Sequence, residues 1–353
     1  MEVRAARASE REEVLDLLAE WYGDRNFFAR YNLNDPTFRD DLCMVADDAG
    51  RLVATAQIFD RTVNLNGQPV RLGGIGSVFT TESCRGRGIG SAVMERAVTT
   101  IRGEGFEFSM LFAERTDFYA RFGWRCVSRL FSAIADAAAI KIDRPDDFEL
   151  APFDPARDLA EVAAIHRAYS GARNFTAIRN EADWRANLRF AGNPDEHFVV
   201  CRRGKSSDSL NPTAAYARAI WFHGVPMVME FGYAGAGAID SLLALFRHLG
   251  EAAAGLPGLF SRDLTGDRSA LILNGGAPTS LLVTHTAHDP LFESRARAAG
   301  ATIFHHEDNL FMWNVVAPER LAEPLSISAD SVDEHLFAML AEPASLYWTA
   351  DRF

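Results

Sequence analysis

The sequence predicts an α/β fold built twice in tandem, and three observations carry that expectation. Strand-like and helix-like segments alternate along nearly the whole chain. Two landmarks recur at almost one offset: Val14 and Val162, in similar helices, lie 148 positions apart, and Gly90 and Gly237, in similar turns, lie 147 apart. That agreement points to an internal duplication. At 353 residues the chain also exceeds what one hydrophobic core usually supports.

The first unit opens with a strand at "VRAAR" (3–7), then Ser9-x-x-Glu12, the spacing of a capping box. Val14, Leu17, Leu18, Trp21 and Tyr22 recur at helical spacing after it. Strands follow at 42–46 and 51–59, separated by a turn at 47–50, and "NGQP" (66–69) makes the next turn. The strand "GGIGSVFT" (73–80) leads through a glycine-bearing turn into a helix carrying Ala92, Val93, Ala97 and Ile101, which stops near Gly103 and Gly105. "FSMLFA" (108–113) predicts a strand, "RTDFYARFGW" (115–124) a short helix closed by Gly123, and "RCVSRLFSAI" (125–134) the unit's last strand.

A charged, proline-bearing linker, "IDRPDD" (142–147), precedes the restart. "FELAPFDPARDLAEVAAIHRAYSG" (148–171) repeats strand, capped helix and aromatic end, and "FGYAGAGAIDSLLALFRHLG" (231–250) repeats strand, glycine turn and amphipathic helix. The expected organisation is therefore 1–143, 148–318 and a tail, 319–353, with one helix ("SADSVDEHLFAMLAE") and an aromatic end ("SLYWTADRF").

Composition bounds the function. Apolar residues make up 48% and charged ones 24%, the balance of a soluble globular protein. No apolar run approaches the roughly 18 residues of a membrane span, so no membrane partner is expected. The charged amino-terminal stretch does not read as a signal peptide. Cys43, Cys84, Cys126 and Cys201 are scattered without paired spacing, which suits a reducing, cytoplasmic setting. A net charge of −12 disfavours nucleic acid and is compatible with a cationic small-molecule partner.

The informative segment is "TTESCRGRGIGSAVMERAV" (80–98). Arg85, Gly86, Arg87, Gly88, Ile89, Gly90 and Ser91 bring backbone N–H groups, two cationic side chains and the positive end of a helix dipole to one place. That is an anion site, and glycine lets a phosphate approach the backbone closely. A nucleotide P-loop needs Lys then Ser or Thr after its last glycine, and neither Ile89 nor Ser91 supplies the lysine. A dinucleotide fingerprint needs G-x-G-x-x-G inside a βαβ unit, whereas this loop reads G-x-G-x-G after hairpin-linked strands.

The segment resembles the GNAT acyltransferase superfamily, whose pyrophosphate loop reads Arg/Gln-x-x-Gly-x-Gly/Ala; Arg85, Gly88 and Gly90 fill those positions. The resemblance implies a mixed, mostly antiparallel sheet flanked by helices in each unit, an α/β (α+β) class, and acetyl-CoA as co-substrate. It also implies that main-chain groups of Val78, Phe79 and Thr80 face the pantetheine arm. Tyr119, in "DFYARFGW", is the implied general acid for the departing thiolate. A thiol near pKa 8.5 and a phenol near 10 make full proton transfer uphill by only about 2 kcal/mol, and partial donation costs less.

The layout further resembles the tandem-GNAT Eis (enhanced intracellular survival) group, most closely over "LGGIGSVFTTESCRGRGIGSAVM" and "FAERTDFYARFGW". That likeness places Glu114 and Arg115 beside the cofactor. It also implies a base supplied by the carboxylate of a last-residue phenylalanine, Phe353 here. An amine of pKa about 10 is roughly one part in a thousand unprotonated at neutral pH, so some base must act. The Eis group's sterol-carrier-like third domain has no room in 319–353, which puts the tail's route in question.

The second unit keeps its glycines but has Gly232 where the loop arginine belongs, and "DPLFESRARAAGA" (289–301) carries no tyrosine. It reads as a degenerate scaffold. His285 and His288, and the pair His305–His306, lack a completing ligand set, so no metal site is expected. Trp21, Tyr22, Asp24, Phe27, Phe28 and Tyr31 are candidates for an acceptor-side wall. The expected function is N-acetyl transfer to a primary amine; the alternatives are a non-catalytic acyl-CoA-binding scaffold and transfer of a longer acyl group. Self-association is left open.

Overall fold

Asn66 and Gly67, both at positive φ, form the two-residue turn between Leu65 and Gln68 that closes a long hairpin. Ala49 and Gly50 do the same between Asp48 and Arg51. Such turns match the twist of the strands they join. The computed structural model describes residues 1–22, 25–143, 147–190, 196–203, 212–222, 225–254, 281–284, 289–342 and 351.

These hairpins set the order of the first sheet. Strands β1 (Glu2–Ala5), β2 (Cys43–Asp48), β3 (Arg51–Leu65) and β4 (Gln68–Thr80) pair antiparallel in sequence order. Helices α1 (Arg11–Tyr22) and α2 (Arg25–Asn34) connect β1 to β2. Helix α3 (Ile89–Gly103) crosses from β4 to β5 (Phe108–Phe112), which lies parallel to β4. Ile89, Val93, Met94 and Ile101 face the sheet and are fully buried, each contributing about 1.5–3 kcal/mol by burial. Ahead of α1 the expected Ser9–Glu12 box gives way to Glu10. Its carboxylate accepts the Arg7 N–H at 2.8 Å and pairs with Arg4, which holds it down to about pKa 2.

The second sheet repeats this plan. Strands β8 (Phe148–Pro152), β9 (His197–Arg203), β10 (Thr213–Phe222) and β11 (Val225–Tyr233) pair antiparallel, and β12 (Leu281–Thr284) lies parallel to β11. Helices α5 (Pro155–Gly171) and α6 (Glu181–Phe190) precede β9, and α7 (Ile239–Ala254) follows β11. Helix α8 (Pro290–Ala298), β13 (Thr302–Asp308) and β14 (Phe311–Val315) complete the unit.

The two sheets exchange strands, which the sequence did not suggest. The stretch expected as one strand over 125–134 divides at Val127: β6 (Arg125–Cys126) stays in the first sheet, and β7 (Arg129–Ala135) joins the second between β12 and β13. In return β14 inserts between β5 and β6. Each unit therefore takes a strand from beyond the 143–148 linker. Tail helices α9 (Pro318–Leu325) and α10 (Val332–Ala341) pack Leu321, Leu325, Val332, Leu336 and Leu340 against Val63, Leu72, Phe108 and Met110 of the first sheet. Among the described residues no helix is long and apolar enough to cross a membrane.

Candidate active site

The first unit's parallel pair opens at its carboxyl end. Pairing of β4 with β5 ends at Ile75↔Leu111, yet β4 continues to Thr80 along β3. Gln57 pairs with Gly76 and Thr55 with Phe79, so Ser77 and Val78 together face Ala56, a β-bulge with Ser77 at φ 50°. Bulges bend a strand and free backbone groups from the ladder. The divergence therefore leaves a gap lined by residues 76–80, half-buried except for the buried Phe79.

The phosphate-type loop sits at the end of that gap. A 3-10 turn, Glu82–Cys84, ends the strand, and Arg85, Gly86, Arg87 and Gly88 are exposed. Gly88 caps α3 at φ 79°, a conformation that costs other residues about 1–2 kcal/mol. The first N–H groups of α3 have no acceptor inside the helix and face the loop. A Cβ on Gly90 would stand 3.1 Å from Thr80 Oγ1, a tight contact, and 3.8 Å from Phe118, an ordinary one, so the helix lies close to both β4 and the next helix. Arg85 donates to the Thr80 carbonyl at 3.0 Å and lies over Trp21 and Phe79. Arg87 reaches Asp48 at 3.9 Å and the Cys84 sulfur at 3.7 Å.

Helix α4 (Thr116–Ala120) carries Tyr119 to the same end of the sheet. The phenol is half-buried, its ring edge-on to Phe118 at 5.0 Å, and Phe118 abuts Gly90. Phe118 thus stands against both Tyr119 and the loop. Glu114 and Arg115 are exposed, with Arg115 at the helix's amino-terminal cap. The sequence reading missed Arg121, whose Nη2 donates to Ser91 Oγ at 3.4 Å; its two-residue spacing after Tyr119 was the available signal. Buried Cys84 touches Ser83 and Arg87, and no group of metal-binding side chains occurs among the described residues.

Phe353 lies outside the described residues, as do Asp24, His285 and His288 and the side chains of Tyr22, Phe27, Tyr31 and His306. Of the proposed acceptor wall, Phe28 is buried in the α1–α2 core, and Trp21 is 57% exposed beside Phe79 and Arg85.

The second unit keeps the bulge and differs at the loop and at the helix cap. A bulge recurs in β11, opposite Arg218 and Ala219. A Cβ on Gly232 would come within 2.7 Å of Tyr216, so that glycine serves packing. The loop does gain a cation from elsewhere: Arg203 of β9 donates to the Gly237 carbonyl at 2.8 Å. Where Arg115 caps α4, Asp289 caps α8, accepting from Phe292 N, Tyr169 OH, Tyr233 OH and Arg173. Burial and the Asp289 carboxylate push both phenols above their ordinary pKa.

Residues 2–127, which contain the gap, the loop and Tyr119, match a family model described as an acetyltransferase (GNAT) domain. The amino-terminal part of the chain is therefore similar to a GNAT acetyltransferase domain. Solved structures extend the likeness in fold across both sheets. A GCN5-related N-acetyltransferase from Kribbella flavida is 16% identical and aligns over 91% of this chain and 72% of its own, with TM-score 0.61. Eis1 from Mycobacterium abscessus is 17% identical over 92% and 76%, with TM-score 0.58. The N-myristoyltransferase of Saccharomyces cerevisiae, solved with myristoyl-CoA, is 10% identical over 89% and 78%, with TM-score 0.53. No curated protein matches the chain.

Proposed function

We propose that the first unit transfers an acetyl group from acetyl-CoA to a primary amine. The observation that carries this reading is the meeting of three features at one end of the first sheet: the β4–β5 gap, the Arg85–Ser91 loop and Tyr119. In this reading the loop amides, Arg85 and Arg87 hold the pyrophosphate, and Arg121 adds a cation beside Ser91. Val78, Phe79 and Thr80 align the pantetheine along the open edge of β4, as a strand edge pairs with an extended ligand. Glu114 and Arg115 flank the same groove.

The reaction is direct transfer. The amine nitrogen attacks the thioester carbonyl carbon, the C–N bond forms, and the C–S bond breaks as the tetrahedral intermediate collapses. Tyr119 donates its proton toward the departing sulfur, and the nitrogen's proton goes to a base or to the phenolate. The carboxylate of Phe353 is our proposal for that base. A cytoplasmic setting, with acetyl-CoA and reduced cysteines together, suits this chemistry. We assign the second unit a supporting role without an acid of its own.

The test is release of free CoA thiol with polyamines, aminoglycosides and lysine peptides as acceptors. Tyr119→Phe keeps the packing against Phe118 and should lower kcat roughly 10²-fold while CoA affinity stays within twofold. A rate retained within twofold would remove Tyr119 from the chemistry. Tight CoA binding with no amine-dependent release would select the scaffold reading, and release only from longer acyl-CoA would replace acetyl by that group.

A further inference from the structure

The inner end of the gap between β4 and β5 is as definite as its mouth. Along β4 from Thr80 to Gly76 the open edge runs roughly 13 Å at strand spacing before it meets the Ile75↔Leu111 pair. Acyl-CoA carries its thioester at the far end of the pantetheine arm from its pyrophosphate. With the pyrophosphate at the Arg85–Ser91 loop, the acyl group is delivered to this closed end, and the side chains there limit its length.

Alternation along the strands divides those side chains between two faces. Toward α3 lie Ile75, Leu111 and Met312, all buried in one apolar cluster with Ile89 and Val93. On the opposite face lie Met110 and Phe112 of β5 and Phe311 and Trp313 of β14. Phe112 is the last residue of β5 and stands one position beyond the final pair with β4, so it borders the gap itself. It is half-buried and pairs across the strands with Phe311, the ring centroids 5.2 Å apart.

Phe311 is buried and held on its other sides. Trp313 stands at 5.1 Å, the Arg129 guanidinium lies over the ring at 4.9 Å, and the Phe311 carbonyl accepts the Val127 N–H at 2.9 Å. Behind this pair Trp313 packs on Phe108 and Phe175, at 4.8 and 4.9 Å between rings. Rings packed this closely leave little room to yield, and an added methylene must displace them.

We infer that Phe112 and Phe311 gauge the acyl group: they stop the gap so that it takes an acetyl or propionyl thioester and turns longer chains away. Both are specificity-determining residues. Phe311 arrives on β14, the strand that the second unit gives to the first sheet, so the exchange of strands carries a determinant of the first unit's substrate. The inference deepens the acyl-transfer reading and rests on it for the direction in which the thioester enters.

The experiment offers acetyl-, propionyl-, butyryl- and hexanoyl-CoA to the full-length chain. It is read as amine-dependent release of CoA thiol and, without amine, as calorimetric Kd. The unaltered protein should handle acetyl and propionyl alike within about fivefold, then lose about tenfold or more at butyryl and further at hexanoyl, the scale of a methylene that a tight pocket refuses. Phe112→Ala removes the ring at the gap and should raise the hexanoyl-to-acetyl ratio about tenfold or more. Phe311→Leu, which keeps the core apolar, should shift the ratio the same way by a smaller factor. A ratio measured on one preparation does not move when part of the protein is merely unfolded. Hexanoyl-CoA used as well as acetyl-CoA by the unaltered protein, or an unmoved ratio in both variants, would overturn the gauge. Preference for acetyl-CoA in Kd with no amine turned over would instead sink the acyl-transfer reading, and the Kd series would then decide the gauge.

Discussion

The two units share a backbone plan and differ in where their polar groups point. In the first, the loop between β4 and α3 is exposed, Arg85 and Arg87 lie on it, and an exposed arginine caps the neighbouring helix. In the second, a buried aspartate stands at that cap and takes two tyrosine hydroxyls and an arginine. One end of the first sheet thus presents exposed arginines, and the same end of the second presents a carboxylate already satisfied from within. A duplicated fold can keep its bulge, its glycines and its helix while changing which charged groups stand at that end of the sheet.

The sharpest way to break the comparison is to separate the units. A fragment of residues 1–143 loses β14, and with it Phe311, Met312 and Trp313 from two of the first sheet's core clusters, while β7 is left without its sheet. It should show no cooperative unfolding by circular dichroism, and mixing in a fragment of 144–353 should restore one transition. Independent melting of 1–143 would mean the exchanged strands are dispensable and the units are separate domains.

Next in size is the loop itself. Removing both cations by Arg85→Ala with Arg87→Ala should weaken CoA binding roughly 100-fold, since each charged hydrogen bond contributes about 1.5 kcal/mol or more. Arg203→Ala, at the second loop, should leave calorimetric affinity and a stoichiometry of one unchanged. Two bound CoA per chain, with one lost on changing Arg203, would erase the functional difference between the units.

What was legible beforehand follows from range. The turn at Asn66–Gly67 and the loop at Gly88 need positive φ, a demand local enough to show in the residue type, whereas Ala49 adopts it with only the neighbouring Gly50 as a signal. Helix faces likewise follow from spacing within one element. Strand exchange does not: "SRLFSAI" alternates in a way that fits either sheet, and its partners Leu281–Thr284 and Thr302–Asp308 lie far along the chain. The Arg179–Asp351 ion pair joins residues 172 apart, so neither residue carried a signal of its own. The second loop's missing arginine was expected at Gly232, which lies inside β11 rather than in the loop, and Arg203 reaches the loop from β9 through folding alone.

The smallest expected effect probes whether the second unit's interior is as closed as its contacts indicate. His166 on α5 is 3% exposed, edge-on to Trp184 at 5.1 Å, and its Nε2 is buried without a hydrogen-bond partner. Burial, reinforced by the positive charge of Arg179, pulls its pKa down to about 3. In the unfolded chain the same imidazole titrates near 6.5. The folded form therefore binds fewer protons between those values, and stability that is full above pH 6.5 declines as pH falls toward 3. At pH 5 the loss is about 2 kcal/mol, because only the unfolded state takes up the proton. His166→Phe keeps a ring against Trp184 and removes this titration. Urea unfolding of both proteins at pH 7 and pH 5 should show the unaltered protein losing about 2 kcal/mol more than the variant over that interval. Equal losses would mean that His166 meets solvent or a counter-charge in the folded state, and that the second unit can admit a proton, and by extension a polar ligand, where its packing now argues it admits none.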